Sequence, residues 1–550
     1  MPSTGPRLAA PFARTCALVS LATVVGTAAA QSPPPVLAAS ASVEQTSPGT
    51  RPAPDIVASF DGLGATLHAG DTPPRNPSDN SLAVGRDHVM QTVNSQVAVF
   101  TKDGRAVYGP VGTHTFFTGF GEVCGSRPNG DAVVRYDQLA DRWLIVMPIF
   151  RRVVVRAAGT SQTTPAPPGV AARPGQASDP GPAARPGPPP PTPPTPPSTP
   201  STPSTPPADG ALYALCYAVS ATADPLGPYY RYVFERELFP DYPRPAVWPD
   251  GYYLPTSTGD DVIQKHVCVV DRARMLAGQP ATEQCVVVDG VNFLNTSDLD
   301  GTTRPPDGAP NLVVATGGAQ LHGDVDDDGL YVWKMHVDWT HPSGTHLEGP
   351  RKIAVAPYRY LCGGQLTHCV PQPGVERRLD AQGDKLMARL VYRNLGAAQS
   401  LVAVHSVDTA AGGGGVRWYE LRLDASGDPQ LQQQGTYAPD GAYRWMGSPA
   451  IDQAGNIAIG YSFGSASEFP GQRLAARLAG DPPGRLTLGE AVLVTGEASQ
   501  TTTLRWEDYT QTAVDPADDC TIWYVGDYLK SGQASYSTRI AAVRLPGCGR

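Results

Sequence analysis

Hydrophobic and polar residues alternate along most of the chain in short runs that are separated by turn-forming residues. Three stretches share the order of a strand, a turn opened by Asp and a second strand: residues 132–147 (AVVRYDQLADRWLIVM), 448–462 (SPAIDQAGNIAIGYS) and 511–526 (QTAVDPADDCTIWYVG). Such alternation is typical of half-buried strands, and the 3.6-residue period of helices is hardly present. The pattern therefore predicts an all-β protein.

The strand-turn-strand unit recurs along the chain. Residues 80–93 (NSLAVGRDHVMQTV) and 244–257 (RPAVWPDGYYLPTS) fit it more loosely, and weaker copies lie near Val313 and Leu390. With a Pro-rich insertion discounted, the spacing is about 50 to 75 residues, as expected for propeller blades of about four strands. We therefore expect a β-propeller of about seven blades, of which the fourth and fifth are the least clear.

The first 30 residues have the composition of a cleaved secretory signal. Arg7 and Arg14 precede the apolar run CALVSLATVVGTAAA, which ends in small residues at Ala30. This run is shorter than the roughly 20 residues that span a bilayer, and no later segment approaches that length. We expect an exported protein, periplasmic or extracellular, without a membrane span.

Two further segments are rich in Pro and Ala, and we expect neither to join a sheet because Pro lacks the amide donor. Residues 31–54 are predicted to be a disordered leader, and residues 157–208 a disordered insertion in a domain formed by residues 55–550. The strand-like RRVVVR before the insertion and ALYALCYAVS after it are predicted to be the arms of one hairpin. The insertion is interpreted as a solvated loop, with a docking site for a polyproline-binding partner as the alternative.

Charge narrows the choice of partner. The formal net charge is −9, and removal of the signal takes it to about −11. Nucleic acids and anionic membranes reward clustered Lys and Arg, which this sequence lacks, so neither is expected as a partner. We expect a monomer that binds an extracellular glycan or protein.

Eight cysteines remain after cleavage of the signal, which contains Cys16. An even number in an exported chain, with no C-x-x-C spacing, favours disulfides over a zinc site. Sequence does not determine their connectivity. Pairing by neighbourhood gives the hypothesis Cys124–Cys216, Cys268–Cys285, Cys362–Cys369 and Cys520–Cys548.

The Asp residues that open the repeated turns are interpreted as scaffold. Asp137, Asp452 and Asp515 stand where a carboxylate accepts hydrogen bonds from nearby backbone amides. Trp143 and Trp523 follow these turns, in second-strand positions where an aromatic ring would pack between blades.

The repeated motifs also resemble a known group of proteins. YRWMGSPAIDQAGNIAIGYS (residues 443–462), RWEDYTQTAVDPADDCTIWY (505–524) and VVRYDQLADRW (133–143) are similar to a family of large secreted bacterial proteins of β-propeller fold. The resemblance covers most of residues 55–549 outside the insertion. It implies the fold and export, and it supplies no activity and no catalytic residues.

One motif imitates a serine hydrolase. GYSFG, residues 460–464, matches the G-x-S-x-G pattern, but its flanks are strand-like and no histidine follows Ser462. The pattern H-E-x-x-H is also missing from the sequence. Neither a serine hydrolase nor a catalytic zinc is predicted.

A second motif imitates a calcium loop. DVDDDG, residues 324–329, has the spacing of the first calcium-binding oxygens of such a loop, whereas Val332 and Met335 occupy the positions of its closing ligands. A hairpin turn crowded with acids and a calcium site both remain open, and no other cofactor is expected. The residues concerned are Asp324, Asp326 and Asp328.

Acidic residues recur shortly before the presumed first strands of the units. In a propeller such positions converge on one end of the central channel, where ligands usually bind. The candidate ligand-binding acids are Asp79, Asp131, Asp241, Asp384 and Asp508. The last two units add Arg444-Trp445 and Arg505-Trp506 in a similar register, with Glu507 and Tyr509 close by.

Two functions fit this arrangement. The favoured one is binding without cleavage, either of a glycan stacked on Trp445 and Trp506 or of a cation held by the acids. The alternative is a sialidase-like or other glycoside hydrolase, in which Tyr509 with Glu507 or Asp508 supplies the nucleophile and the acid/base. In that scheme a substrate carboxylate is clamped by Arg389, Arg444 and Arg505. The sialidase pattern S-x-D-x-G-x-T-W is not matched, and a purely structural role of the acids and Arg-Trp pairs is the third interpretation.

Overall fold

The computed structural model describes residues 41–70, 74–126, 128–154, 211–258, 265–288, 291, 293–317, 328–364, 368–533 and 535–549. These residues are almost entirely in strands and turns, and the prediction of an all-β protein is confirmed. The helices among them are short: α1 Glu122–Gly125, α2 Arg272–Leu276, and 3-10 turns at Ala41–Val43, Thr113–Phe117, Pro342–Gly344 and Leu361–Gly363. None of these helices is long and apolar enough to cross a membrane.

The strands are numbered in chain order. The first half comprises β1 Glu44–Gln45, β2 Asp55–Gly64, β3 Ser81–Val84, β4 His88–Val93, β5 Gln96–Thr101, β6 Ala106–Gly112, β7 Val133–Asp137, β8 Arg142–Val154, β9 Ala211–Ser220, β10 Tyr229–Arg236, β11 Pro240–Asp241, β12 Ala246–Val247, β13 Gly251–Thr258, β14 Lys265–Asp271, β15 Glu283–Val288 and β16 Asn295–Leu299. The second half comprises β17 Asn311–Thr316, β18 Leu330–His336, β19 His346–Ile353, β20 His368–Gln372, β21 Val375–Asp380, β22 Leu390–Asn394, β23 Gln399–Asp408, β24 Gly414–Leu423, β25 Pro429–Tyr437, β26 Tyr443–Ile451, β27 Ile457–Gly464, β28 Gly471–Arg477, β29 Ala491–Val494, β30 Gln511–Val514, β31 Thr521–Tyr528 and β32 Ser537–Arg544.

Most strands form antiparallel meanders in which neighbours in the chain are neighbours in the sheet. The meanders are β3–β6, β7–β10, β12–β15, β16–β19, β22–β25 and β26–β29. The short β11 also pairs with β13, and β20 with β21 forms a separate hairpin. Parallel pairing of β16 with β22 joins two meanders into one sheet, and β1, which pairs in parallel with β25, is the ninth strand of that sheet.

The first strands of successive meanders contact one another around a closed ring. In order, β3 contacts β7, β7 contacts β12, β12 contacts β16, β16 contacts β22, β22 contacts β26, β26 contacts β30, and β30 contacts β3. The last sheet is completed by the N-terminal part of the chain, because β2 pairs antiparallel with β32. A ring of meanders that is closed by one terminal strand is a propeller-like arrangement.

The repeated turns are built as predicted. The carboxylate of Asp137 accepts a hydrogen bond from the Leu139 amide at 3.1 Å, and Asp452 and Asp515 bind the amides two residues further on in the same way. Trp523 in β31 packs in one hydrophobic cluster with residues of β3, β4 and β5. Its predicted position between neighbouring units is therefore confirmed.

The hairpin predicted around the insertion is present. β8 and β9 are antiparallel, with Met147 opposite Cys216 and Val154 opposite Ala211. Residues 157–208 themselves, like residues 1–30, lie outside the described part of the chain.

The predicted disordered leader is partly ordered. Within residues 31–54, Glu44 and Gln45 form β1 against the edge of β25, and the buried Gln45 side chain donates to the carbonyl of Leu486 at 2.9 Å. Prediction of disorder is therefore wrong from residue 41 onward. The Pro-rich composition does not indicate this strand, because its backbone hydrogen bonds are made to the open edge of another strand, β25.

The hypothesis of disulfide pairing by neighbourhood is confirmed at all four pairs. They are Cys124–Cys216, Cys268–Cys285, Cys362–Cys369 and Cys520–Cys548. Such a set is consistent with folding in an oxidising compartment.

Candidate functional site

One end of the ring holds a cavity of about 600 Å³. Its wall is built mainly by the segments that lead into first strands: those before β3, β7, β12, β16, β22 and β30. The five acids predicted to converge there all line it: Asp79, Asp131, Asp241, Asp384 and Asp508. Their convergence is as predicted, and their role in binding stays a prediction.

The backbone in these segments is unusual. The left-handed conformation, which costs a residue with a side chain about 1 to 2 kcal/mol, recurs just ahead of first strands. It is adopted by Asp79 (φ 49°), Asp131 (φ 55°), Tyr242 (φ 52°), Gln382 (φ 47°) and Asp508 (φ 70°). A residue keeps this unfavourable conformation only where the surrounding structure fixes its backbone. Residues of this kind are common at ligand sites. Two hydrogen bonds link these segments: the Asp79 amide donates to the Glu507 carbonyl and the Tyr242 hydroxyl to the Asp508 carbonyl, both at 2.8 Å.

Asp79 and Asp131 form a pair of carboxyl groups in the wall. Asp79 is only 1% exposed, and its Oδ2 accepts from Asn94 Nδ2 at 2.6 Å. Asp131 accepts from the buried Tyr509 hydroxyl at 3.3 Å. Burial, followed by the charges of Asp131 and Asp508, raises the pKa of Asp79 well above its usual range. Burial, with Asp241 and Asp508 nearby, raises the pKa of Asp131 to about 7.

Arg505 organises a second group of acids. Its Nε lies 3.0 Å from Asp380 Oδ2, and its Nη2 contacts the carboxylate of Asp508. The other Asp508 oxygen accepts from Gln382 Nε2 at 2.8 Å. Burial and the neighbouring Asp508 raise the pKa of Asp380 to about 7 despite the arginine. The guanidinium thus belongs to an ion-paired network and still faces the cavity.

A cluster of rings and cations closes another side of the cavity. Tyr242 stacks on Tyr509 with ring centroids 4.4 Å apart. Lys385 Nζ lies 3.9 Å from the Phe293 centroid and 4.5 Å from that of Tyr242. The buried Arg244 guanidinium lies 4.7 Å from the Tyr242 centroid, and none of its three nitrogens has a hydrogen-bond partner among the described residues. Burial lowers the pKa of Arg244 to about 10.

The prediction that Trp445 and Trp506 stack on a glycan is wrong. Both side chains are buried in one hydrophobic cluster, with centroids 6.2 Å apart, and the indole of Trp506 donates to Ser462 Oγ at 2.9 Å. Among the described residues, the rings that line the cavity are Phe150, Phe239, Tyr242 and Phe293. Phe239 and Tyr242 flank Asp241 in the sequence FPDY, which is the signal that could have identified them.

The predicted arginine clamp is also not assembled. Arg389 is buried and bound to Asp298 and Asp300 at 2.5 and 2.6 Å. Arg444 forms ion pairs with two other acids and is likewise buried. Only Arg505 of the three lines the cavity. Arg389 and Arg444 thus satisfy carboxylates of the protein itself and do not face the cavity.

The proposed nucleophile and acid are engaged inside the protein. Glu507 is fully buried, accepting from Ser462 Oγ at 2.8 Å and from the Asp527 amide at 2.6 Å. Tyr509 is 2% exposed. Ser462 lies within β27 rather than at a strand-to-helix turn, as its strand-like flanks predicted.

The calcium loop can be described only at its end. Asp324 and Asp326 lie outside the described residues, and the carboxylate of Asp328 accepts from the Tyr358 amide at 3.2 Å. Among the described residues, ligand atoms come close enough for a metal only at Cys268, Glu283 and Cys285, and the two cysteines are disulfide-bonded. The calcium site therefore stays a prediction.

No family model matches the chain, and no curated protein matches it. Among solved structures, it is similar to a protein of unknown function from Dyadobacter fermentans, with 9% identity over 90% of this chain and 100% of that chain and a TM-score of 0.32. It is also similar to a PL25 ulvan lyase, with 9% identity over 87% and 93% and a TM-score of 0.35. An exo-1,5-α-L-arabinanase from a bovine ruminal metagenomic library gives 11% identity over 77% and 94% and a TM-score of 0.25. Likenesses of this extent say nothing about the ligand or the activity of this chain.

Proposed function

We propose that the protein is an exported, non-catalytic glycan-binding protein whose ligand sits over the axis of a seven-bladed β-propeller. The number of blades is inferred from the ring of first strands, in which β3, β7, β12, β16, β22, β26 and β30 each belong to a different antiparallel unit. Membership of the secreted bacterial propeller family remains part of this proposal.

The observation that carries the binding function is the convergence of five aspartates from separate units on one cavity. Carboxylates, together with the amides of Asn94 and Gln382, are suitable partners for sugar hydroxyls. Phe150 and Phe239 are partly exposed at the wall and offer apolar surface for a sugar ring. The volume of about 600 Å³ lies within the range of small-ligand sites.

The same geometry favours binding over hydrolysis by the sialidase-like scheme. That scheme needs three arginines on one substrate carboxylate and a tyrosine nucleophile facing the substrate. Arg389 and Arg444 are held elsewhere, and Tyr509 is buried against Tyr242.

One observation favours a glycoside hydrolase of another kind as the second candidate. The pKa of Asp131 is raised to about 7, which suits a general acid or base at neutral pH. In this alternative the Asp79–Asp131 pair, rather than Tyr509, would exchange protons with the substrate.

The two candidates are separated by running a glycan array and a panel of fluorogenic glycosides on the purified protein. Array binding without turnover is the expected result, and Asp241→Asn should weaken that binding. Asp87→Asn, in the exposed turn between β3 and β4, serves as the matched control and should leave it unchanged. Turnover that Asp131→Asn abolishes would replace the binding function by the enzyme, and silence in both assays would refute both.

A further inference from the structure

The cations that line the cavity are engaged within its wall. Among the described residues, the lining has five carboxyl groups and two cations, Lys385 and Arg505. Arg505 is paired with Asp508, and Lys385 Nζ lies 3.6 Å from Asp384 Oδ1. Asp79 and Asp131 form no ion pair among the described residues, so a cationic ligand is the partner that this pair lacks.

A buried carboxyl oxygen in this wall has no donor. Oδ1 of Asp79 accepts no hydrogen bond among the described residues, although the residue is 1% exposed. The Asp131 carboxyl lies within hydrogen-bonding reach of the Asp79 carboxyl. Two carboxylates have no proton to share, so this contact requires a proton on one of them or a donor from a ligand. An ammonium group has three donors and a positive charge and fits that requirement.

The spread of the acids indicates a ligand larger than a bare ion. They come from five segments around a cavity of about 600 Å³. Among the described residues, no three of the cavity carboxyl groups bring oxygens within 4.8 Å of one another. An organic ligand that presents its amino groups at separate points can reach them.

We infer that the cavity selects a glycan that carries positively charged amino groups, one of them held between Asp79 and Asp131. This inference rests on the proposed function of glycan binding and names the class of glycan. The sugar ring would contact the partly exposed Phe150 and Phe239, whose centroids lie 4.9 Å apart, while the ammonium meets the acids.

Binding of the amino group should be coupled to the release of protons from the Asp79–Asp131 pair. In the unliganded protein the repulsion among Asp79, Asp131, Asp241 and Asp508 retains protons on the pair, and Arg505 and Tyr509 are the other titratable groups acting on it. A bound ammonium favours the ionised carboxylates, so binding should release protons to the solvent. Affinity should consequently rise with pH up to about 7 as long as the amine of the ligand stays charged.

Isothermal titration with a matched pair of ligands tests the inference. The probes are short glucosamine oligomers and N-acetylglucosamine oligomers of equal length, which differ only in the charge of the amine. The glucosamine oligomer should bind roughly 10- to 100-fold more tightly, as expected for hydrogen bonds to charged groups. Titration in buffers of different ionisation enthalpy should show proton release for this ligand alone.

Single substitutions show which carboxyl groups are responsible for the preference for the amine. Asp79→Asn should remove most of the preference for the amine and the proton release. Asp241→Asn keeps both members of the pair and removes only one neighbouring charge, so it should weaken amine binding to a lesser degree. Asp87→Asn should behave like the wild type. Circular dichroism and thermal unfolding identify any variant that fails to fold, in which case Asp241→Asn alone decides.

Equal affinity for both oligomers, or an amine preference that survives both cavity variants, would overturn the inference and leave glycan binding intact. Binding of calcium chloride that Asp79→Asn abolishes, or of a lysine peptide without the amino sugar, would also overturn it. If neither oligomer binds and the glycan array is silent, the proposed function fails as well.

Discussion

At the scale of single residues, the protein maintains acids in places where their charge is costly. Asp527 is 1% exposed and accepts from Asn80 Nδ2 at 3.1 Å, and its backbone amide donates to Glu507. Burial, with Asp508 nearby, raises the pKa of Asp527 to about 8. Burial and the charge of Asp527 raise the pKa of Glu507 well above its usual range. Both acids therefore carry protons in the folded protein at a pH where the unfolded chain has lost them.

This difference predicts how stability depends on pH. A carboxyl with a raised pKa binds more protons in the folded state, so its contribution lowers the free energy of unfolding as pH rises from about 4 to about 8. Asp527→Asn cannot ionise and should reduce that slope by up to about 1.4 kcal/mol per pH unit. Urea unfolding at a series of pH values across this range measures the slope, with Asp87→Asn as the control. Parallel curves for Asp527→Asn and the wild type would contradict the assignment.

At the scale of elements, the closure of the ring depends on strand β2. β2 pairs with β32, and its residue Leu63 is fully buried. Phe60, which also lies in β2, contacts the ring of Phe100 in β5 and the ring of Trp523 in β31. The strand thus joins the first and last sheets of the ring through packing as well as through hydrogen bonds.

Two truncated chains distinguish the contribution of β2 to stability from that of the shorter β1. A chain that begins at residue 51 loses only β1 and should fold, whereas one that begins at residue 66 loses β2 and exposes the edge of β32. The loss of buried Leu63 alone is worth about 2 to 5 kcal/mol. Thermal unfolding followed by circular dichroism should show a cooperative transition for the longer chain and a strongly destabilised or noncooperative one for the shorter chain. Equal transitions would mean that the ring does not depend on β2.

Local patterns predicted the elements better than their partners. The turns opened by Asp137, Asp452 and Asp515 were predictable because Asp, its nearby amides and the flanking strands are adjacent in sequence. The pairing of β1 with β25 was not, because Glu44 and its partner Thr436 are far apart in the chain and no residue type marks the open edge.

At the scale of the whole molecule, the fold brings together residues that no local pattern connects. The five cavity acids were predicted because each precedes a first strand, and a ring places all such positions at one end. Arg389 and Arg444 were misassigned because sequence does not show that Asp298 and Glu490 lie beside them. Charge and register thus predicted where the site lies, whereas the internal partners of each side chain needed the tertiary structure.

A variant that lacks the Pro-rich insertion tests whether the ring folds without it. β8 and β9 remain paired as far as Val154 and Ala211, so a two-residue Asn-Gly turn can replace residues 155–210 and close the hairpin. Shortening a connection lowers the entropy of the unfolded chain, so stability should be retained or raised. The described residues that line the cavity are held by other segments of the ring, so glycan affinity should stay within about 2-fold of the wild type. Thermal unfolding and titration of this variant, beside one with a Gly/Ser segment of the original length, measure both quantities. Loss of folding or of binding in both variants would show that the insertion contributes specific contacts to the ring or to its ligand site.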